Sequence, residues 1–224
     1  MIRVGTSGWS YPSGKGTWKG VFYPASPGRS KSGRGFDELA YYAEHFDTVE
    51  VNSTFYRVQS PQTALSWARR TPAGFLFAIK LFQKFTHPEL YLKKTGLDLW
   101  DLGRKDIDEF RAMLDPLAAA GKLGPLLAQF PPSFHDEPAA REYIDWLLET
   151  FRDHQMAVEL RHRSWSDAAA GTDALLARHR AGLVLIDEPR FESSIALSPS
   201  LVTAADPSRP AYLRLHGRNA AAWW

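Results

Sequence analysis

Ten polar residues fall at the ends of short apolar runs in this sequence: Ser7, Glu50, Asn52, Lys80, Gln129, Glu159, Arg161, Asp187, Arg214 and His216. Carboxylates placed together can divide acid and base work, because unequal surroundings push their pKa values apart. Guanidinium forks match the oxygens of a phosphate or carboxylate. Removing an ion from water costs several kcal/mol, roughly, against a net domain stability of about 5–15 kcal/mol. Glu50, Glu159, Asp187, Lys80, Arg161 and Arg214 therefore cannot sit unpaired in a dry core. They form an ion-pair network, line a wet cavity, or do both. The candidate catalytic residues are Glu50, Lys80, Glu159 and Asp187, with Glu50 or Glu159 as the acid–base group and Asp187 orienting it. Lys80, Arg161 and Arg214 would hold an anion. Lys80 also has a second reading, as a base or Schiff-base amine of lowered pKa. Ser7, Asn52, Gln129 and His216 complete the binding set, Trp9, Tyr56 and Trp165 form walls, and His87 and His162 follow strands on loops, where an imidazole can titrate near neutrality.

The elements that must position these residues alternate. Strands are expected at 2–7, 48–52, 76–80, 126–130, 157–161, 183–187 and 211–216. Helical periodicity falls at 36–46, 63–70, 106–120, 137–154 and 172–181. Ser60-Pro61 reads as a cap followed by proline at the first helical position. Pro116 should kink or split its helix, Thr172 should cap the last one, and Gly182 should stop it. Repeated strand–helix units imply parallel strands joined by right-handed crossovers. An open doubly wound sheet and a closed (β/α)8 barrel compete. Strands covered on both faces read as continuous apolar runs. Here Thr48, Glu50 and Asn52 oppose Val49 and Val51, and Tyr212, Arg214 and His216 oppose Leu213 and Leu215. One face turns polar toward the C-terminal end, which favours an α/β, TIM-barrel-like single domain over 1–224, whose active-site face is that end. Such a barrel takes about 250 residues. With seven strands legible, the eighth strand and helix are expected to belong to a longer chain.

The 224 residues carry a net charge of +2 and no cysteine. That excludes a disulfide framework, thiolate metal sites and a cysteine nucleophile. No apolar run approaches the ~18 residues of a membrane helix, and 1–5 reads as a strand rather than a secretory leader. The expected location is cytoplasmic. No GxGxxG or GxxxxGK[ST] follows the first strand, so no nucleotide cofactor is indicated.

Several blocks carry a family resemblance: Gly5-Thr6-Ser7-Gly8-Trp9-Ser10-Tyr11; Trp18-Lys19-Gly20-Val21-Phe22-Tyr23-Pro24; Glu50-Val51-Asn52-Ser53-Thr54-Phe55-Tyr56; Gln129-Phe130-Pro131-Pro132-Ser133-Phe134; Glu159-Leu160-Arg161-His162; and Arg214-Leu215-His216-Gly217. Together they resemble the YecE-like family, a domain of unknown function (number seventy-two). The resemblance implies a TIM-barrel-like fold, distantly similar to the endonuclease IV and xylose isomerase group, and no assigned reaction. The chain departs from the pattern in Gly/Ser/Lys-rich stretches at 13–16 and 26–35, in Arg163 where proline is common, and in lacking the family's final segment.

Glu50, Glu159, Asp187 and His216 could also be ligands of a divalent metal. The cations Lys80, Arg161 and Arg214 oppose that reading, and no His-x-x-x-His cluster supports it. Lys15, Lys19, Arg29, Lys31 and Arg34 interleave with aromatics, and Lys84, Lys93, Lys94, Arg104 and Lys105 follow the third strand. Basic groups among aromatics suit a nucleic-acid backbone and stacked bases. The leading expectation is an enzyme (a hydrolase, lyase or isomerase) acting on an anionic small molecule, phosphorylated or carboxylated, by acid–base chemistry. A nucleic-acid-binding or endonuclease-like protein and a non-catalytic ligand-binding barrel are the alternatives. No membrane partner is expected, and the oligomeric state is not legible.

Overall fold

A computed structural model describes residues 1–11, 13–14, 16–25, 35–87, 103–196 and 206–219. The chain forms two compact units, Met1–Lys80 with Gly103–Gly124, and Leu81–Leu102 with Pro125–Trp224.

In the first unit, β1 (Thr48–Val51) and β2 (Leu76–Lys80) pair in parallel, with Glu50 beside Ala78. The crossover holds α2 (Ser53–Tyr56) and α3 (Pro61–Arg69). Ser60 caps α3 as expected, its Oγ accepting from Thr63 N at 3.1 Å ahead of Pro61. Before β1, α1 (Glu38–Tyr42) is capped by Asp37, which also receives Arg70 Nε at 2.8 Å. After β2 in the same unit, α5 (Arg104–Ala119) packs against α3. Pro116 does not split it: the proline lies in the last turn, and the helix closes with Ala120 N donating to Pro116 O at 3.2 Å.

Ahead of α1, the run 2–7 forms only a parallel bridge between Ser7 and Glu50 rather than the expected strand. Glu50 N donates to Thr6 O at 3.0 Å, and Gly8 N donates to Glu50 O at 2.8 Å. Upstream, the ladder is replaced by a side chain, because Val4 N donates to Asp47 Oδ1 at 2.8 Å. The strands among the described residues are therefore six, not seven.

The second unit begins with α4 (Gln83–Thr86) and continues from Pro125 of β3 (Leu123–Gln129) through β4 (Met156–Glu159), β5 (Gly182–Asp187) and β6 (Tyr212–Leu215). Between them lie α6 (Pro138–Thr150), α7 (Ser164–Asp167) and α8 (Ala169–Arg178). Thr172 lies inside α8, and its Oγ1 donates to Trp165 O at 2.8 Å instead of capping the helix. Gly182 opens β5 rather than stopping α8, and Arg180, at φ 54°, reverses the chain. Glycine is needed at 182 because a Cβ there would lie 1.9 Å from Pro210 O.

The six strands follow in the order β1-β2-β3-β4-β5-β6. A doubly wound sheet reverses its order at a switch point; a sequential parallel order is that of a TIM-type barrel. The fold is thus α/β, a TIM-barrel-like partial barrel. Side chains alternate between sheet faces, and on one face of the second unit Leu127, Ala157 and Val184 pack with Ile186 and Tyr212. Two residues further along that face come Gln129 on β3, Glu159 on β4 and Arg214 on β6.

Candidate functional site

Glu159 is the centre of the second unit's polar end. It is fully buried and accepts at both oxygens. Gln129 Nε2 at 2.6 Å and Arg161 Nε at 2.8 Å donate to Oε1, and Arg214 Nη1 at 2.5 Å donates to Oε2. His216 Nε2 lies 3.8 Å from Oε1 and 3.2 Å from Arg214 Nη1. Burial pushes the Glu159 carboxyl up, but Arg214, Arg161 and the bonds from Gln129 and Arg161 outweigh it and hold the group below the ordinary carboxylate range. The expected grouping of Gln129, Glu159, Arg161, Arg214 and His216 is present.

Asp187 does not join them. It sits on the face of β5 opposite Val184 and Ile186, and its Oδ1 accepts from exposed Arg218 Nε at 2.8 Å. The next residue, Glu188, lies in the bend just beyond β5, and no sequence signal marks it. Its Oε2 is buried and has no hydrogen-bond partner among the described residues. Burial raises its pKa and nearby Glu159 adds to the rise, against the opposing fields of Arg161 and Arg214.

His162 Nδ1 lies 2.9 Å from Ser164 Oγ, and its ring lies tilted by 31° against His135, with centroids 3.9 Å apart. Burial, His135 and Arg163 lower its pKa. Trp165 belongs to the core rather than to a pocket wall: it is fully buried, Nε1 donates to Phe134 O at 2.8 Å, and its ring stacks on Phe134 at 5.7 Å. His87 closes α4, with Nδ1 3.0 Å from Thr86 Oγ1.

In the first unit, Glu50 is buried and accepts from Ser7 Oγ at 2.8 Å. Tyr11 OH donates to Ser7 O, and burial together with Glu50 raises the phenol pKa. The Lys80 ammonium lies 4.2 Å from the centre of the Phe55 ring. Asn52 Oδ1 is buried without a hydrogen-bond partner among the described residues. Trp9 packs edge-on against Trp67 at 5.6 Å, whereas Tyr56 is 61% exposed. Trp18, Phe22 and Tyr23 pack on one another and on Tyr41 and Tyr42, which gives these aromatics a packing role.

Of the basic loop residues, Lys15, Arg29, Lys31, Arg34, Lys93 and Lys94 lie outside the described residues. Arg104 and Lys105 are helical instead, facing Asp108 at 3.9 Å and Glu109 at 3.8 Å on α5, and Lys84 is buried. Among the described residues no group of three or more His, Asp or Glu is placed to hold a metal ion, and no helix is long and apolar enough to cross a membrane.

The fold agrees with that of known proteins. Bacillus subtilis YunF, a UPF0759 protein, is 28% identical over 226 residues, which is all of this chain and 72% of YunF. Escherichia coli YecE, also a UPF0759 protein, is 27% identical over 164 residues, 72% of this chain and 49% of YecE. Among solved structures, a DUF72 family protein from Thermotoga maritima is 33% identical over 99% of this chain and 76% of its own, with a TM-score of 0.74. One from Enterococcus faecalis, 23% identical, matches the fold over 100% of this chain and 74% of its own with a TM-score of 0.76. Residues 3–224 match the family described as protein of unknown function DUF72, and the chain belongs to that family.

Proposed function

We propose that the polar end of β3–β6 in the second unit is an anion site, and that the protein is an enzyme acting there on a phosphorylated or carboxylated substrate by acid–base chemistry. One observation carries this reading: the single buried carboxylate of Glu159 is shared by two guanidiniums, Arg161 and Arg214. Arg161 reaches Glu159 through Nε alone, so its terminal Nη pair is left for a second acceptor. A fork of two N–H groups in one plane is the donor set that a phosphate or carboxylate accepts in bidentate fashion. Such an arrangement at the C-terminal ends of parallel strands stands where barrel enzymes bind and convert their substrates.

Thermal unfolding with inorganic phosphate, sulfate, a phosphomonoester and a dicarboxylate tests this reading. A ligand that binds only the folded state raises stability by about 2.7 kcal/mol at one hundred times its Kd. The wild type should gain Tm with at least one of these anions in saturable fashion. Arg161→Ala, which leaves Glu159 its bonds from Arg214 and Gln129, should fold with a near-normal unliganded Tm and lose the response. An unresponsive wild type, or an equal response in the variant, would overturn the anion site.

A further inference from the structure

We propose that His162 is held uncharged with its proton on Nε2, so that its open edge is a hydrogen-bond donor and neither a proton carrier nor a metal ligand. The hydrogen bonds around this imidazole carry the assignment, and none of them involves the anion site proposed above.

His162 follows the end of β4, where the chain is fixed on its outer side. Ser194 bridges antiparallel to His162, Arg163 N donates to Ser193 O at 2.8 Å, and Ile195 N donates to Arg161 O at 2.8 Å. The backbone is thereby set, and Ser164 sets the ring. Ser164 N donates to His162 Nδ1 at 3.2 Å, and Ser164 Oγ lies 2.9 Å from the same nitrogen. A backbone N–H can only donate, so Nδ1 must present its lone pair. The serine hydroxyl is oriented the same way, because Asp136 N donates to Ser164 Oγ at 2.9 Å and leaves the hydroxyl hydrogen for Nδ1. The bonds thus run in one direction, from Asp136 through Ser164 to the ring. Asp136 is itself clamped, its two carboxylate oxygens accepting from Arg141 Nε at 2.5 Å and Nη2 at 2.7 Å.

A neutral imidazole whose Nδ1 accepts carries its hydrogen on Nε2. A second proton would set an N–H at Nδ1 against the Ser164 N–H. The hydroxyl can turn away from it, but the amide cannot. The charged form therefore loses a bond that the neutral form keeps. The surroundings act in the same direction. Burial, His135 and Arg163 lower the His162 pKa, and Asp167 alone opposes them. Asp167 is engaged by Arg163 Nε at 3.2 Å. The His135 ring, from the loop after β3, lies with its centroid 3.9 Å away, where a second cation would repel the first.

Among the described residues no group bonds to Nε2, and that atom is open to solvent. Loops at the C-terminal ends of barrel strands are where ligands bind. The open N–H suits a ligand with an acceptor oxygen: a carbonyl, a phosphoryl group or a carboxylate. An uncharged imidazole polarises such an oxygen as an electrophile. A metal ion instead needs a ring lone pair, which Nε2 lacks and which Nδ1 has committed to Ser164. Proton transfers in this protein then fall to other groups.

The test is nitrogen NMR of the full chain with 15N-labelled histidine, followed from about pH 5 to about pH 8. His162→Gln identifies the His162 signals by their absence. At the alkaline end Nδ1 should show the shift of a bare ring nitrogen and Nε2 that of a protonated one. The titration midpoint should lie below the ordinary imidazole value of about 6.5. Added Zn2+ should move neither signal. Ser164→Ala, which removes the hydroxyl and keeps the amide, should retain the tautomer and raise the midpoint. A proton on Nδ1, equal averaged shifts for the two nitrogens, a midpoint at or above the ordinary value, or a Zn2+-dependent shift at Nε2 would each overturn the assignment. No anion enters these measurements, so their outcome is separate from that of the anion site.

Discussion

Glu159 and Glu188 are the same side chain in opposite surroundings, and their linkage to stability has opposite sign. The Glu159 pKa is depressed by Arg214 and Arg161 in spite of burial. Its contribution is therefore present above the ordinary glutamate pKa and is lost as pH falls through the depressed value. The Glu188 pKa is raised by burial and by Glu159. The folded state then binds the extra proton, so stability declines as pH rises from the ordinary value through the raised one. Glu188→Gln should unfold at a higher Tm than the wild type at pH 8, with the difference shrinking toward pH 5. A Tm difference that is independent of pH would contradict this assignment. Glu159→Gln removes the buried carboxylate that Arg161 and Arg214 share and should cost about 3–5 kcal/mol in chemical denaturation; a loss under about 1 kcal/mol, the scale of an exposed pair, would show that the network is not buried in solution. The sequence reveals Glu159 because Ala157, Glu159 and Arg161 alternate with Val158 and Leu160. It points to Asp187 instead of Glu188 because Asp187 is the polar end of the run Leu183-Val184-Leu185-Ile186, which is apolar at both parities, whereas Glu188 falls in the bend beyond it. A strand packed on both faces carries no alternation, and only its pairing of Val184 with Tyr212 fixes which side faces Arg214.

At the scale of elements, the legible signals are those with a local cause. Ser60 caps α3 through a bond three residues long, so the Ser-Pro pair marks the helix start. Ser60→Ala should cost about 1 kcal/mol, read as a lower denaturation midpoint with unchanged slope. The misreadings at Thr172 and Gly182 have a tertiary cause. Thr172 spends its hydroxyl on Trp165 O, and Gly182 answers the approach of Pro210 O, two residues ahead of β6. A helix-stop glycine and a close-approach glycine look alike in sequence. Gly182→Ala should displace the start of β5 from β6, and amide exchange at Val184 to Asp187 should accelerate while β3–β4 amides stay protected. Unchanged protection would mean that the contact relaxes without cost. The run at 2–7 is an intermediate case: Thr6 and Gly8 bond to Glu50 as a strand would, and Asp47 diverts Val4.

At the scale of the molecule, an apolar layer and the proposed anion site occupy successive positions on the same face of the second unit. The apolar residues Leu127, Ala157 and Val184 come first along their strands, and the charged residues follow. Barrel folds separate these roles along the strand direction, and the separation is testable. Leu127→Ala should lower unfolding stability by about 2–5 kcal/mol and leave sulfate affinity unchanged. Arg161→Ala should do the reverse. The net charge of +2 over 224 residues is too small to attract anions generally, so any anion site must be local. The proposed place is the Arg161 guanidinium, which reaches Glu159 through Nε alone. The most direct test is a crystal of the protein soaked in selenate, with the anion located by its anomalous scattering. The proposed anion site predicts a peak within hydrogen-bonding distance of the Arg161 Nη atoms, on the side away from Glu159. Arg161 Nη atoms satisfied by protein acceptors, with no selenate beside them, would contradict it.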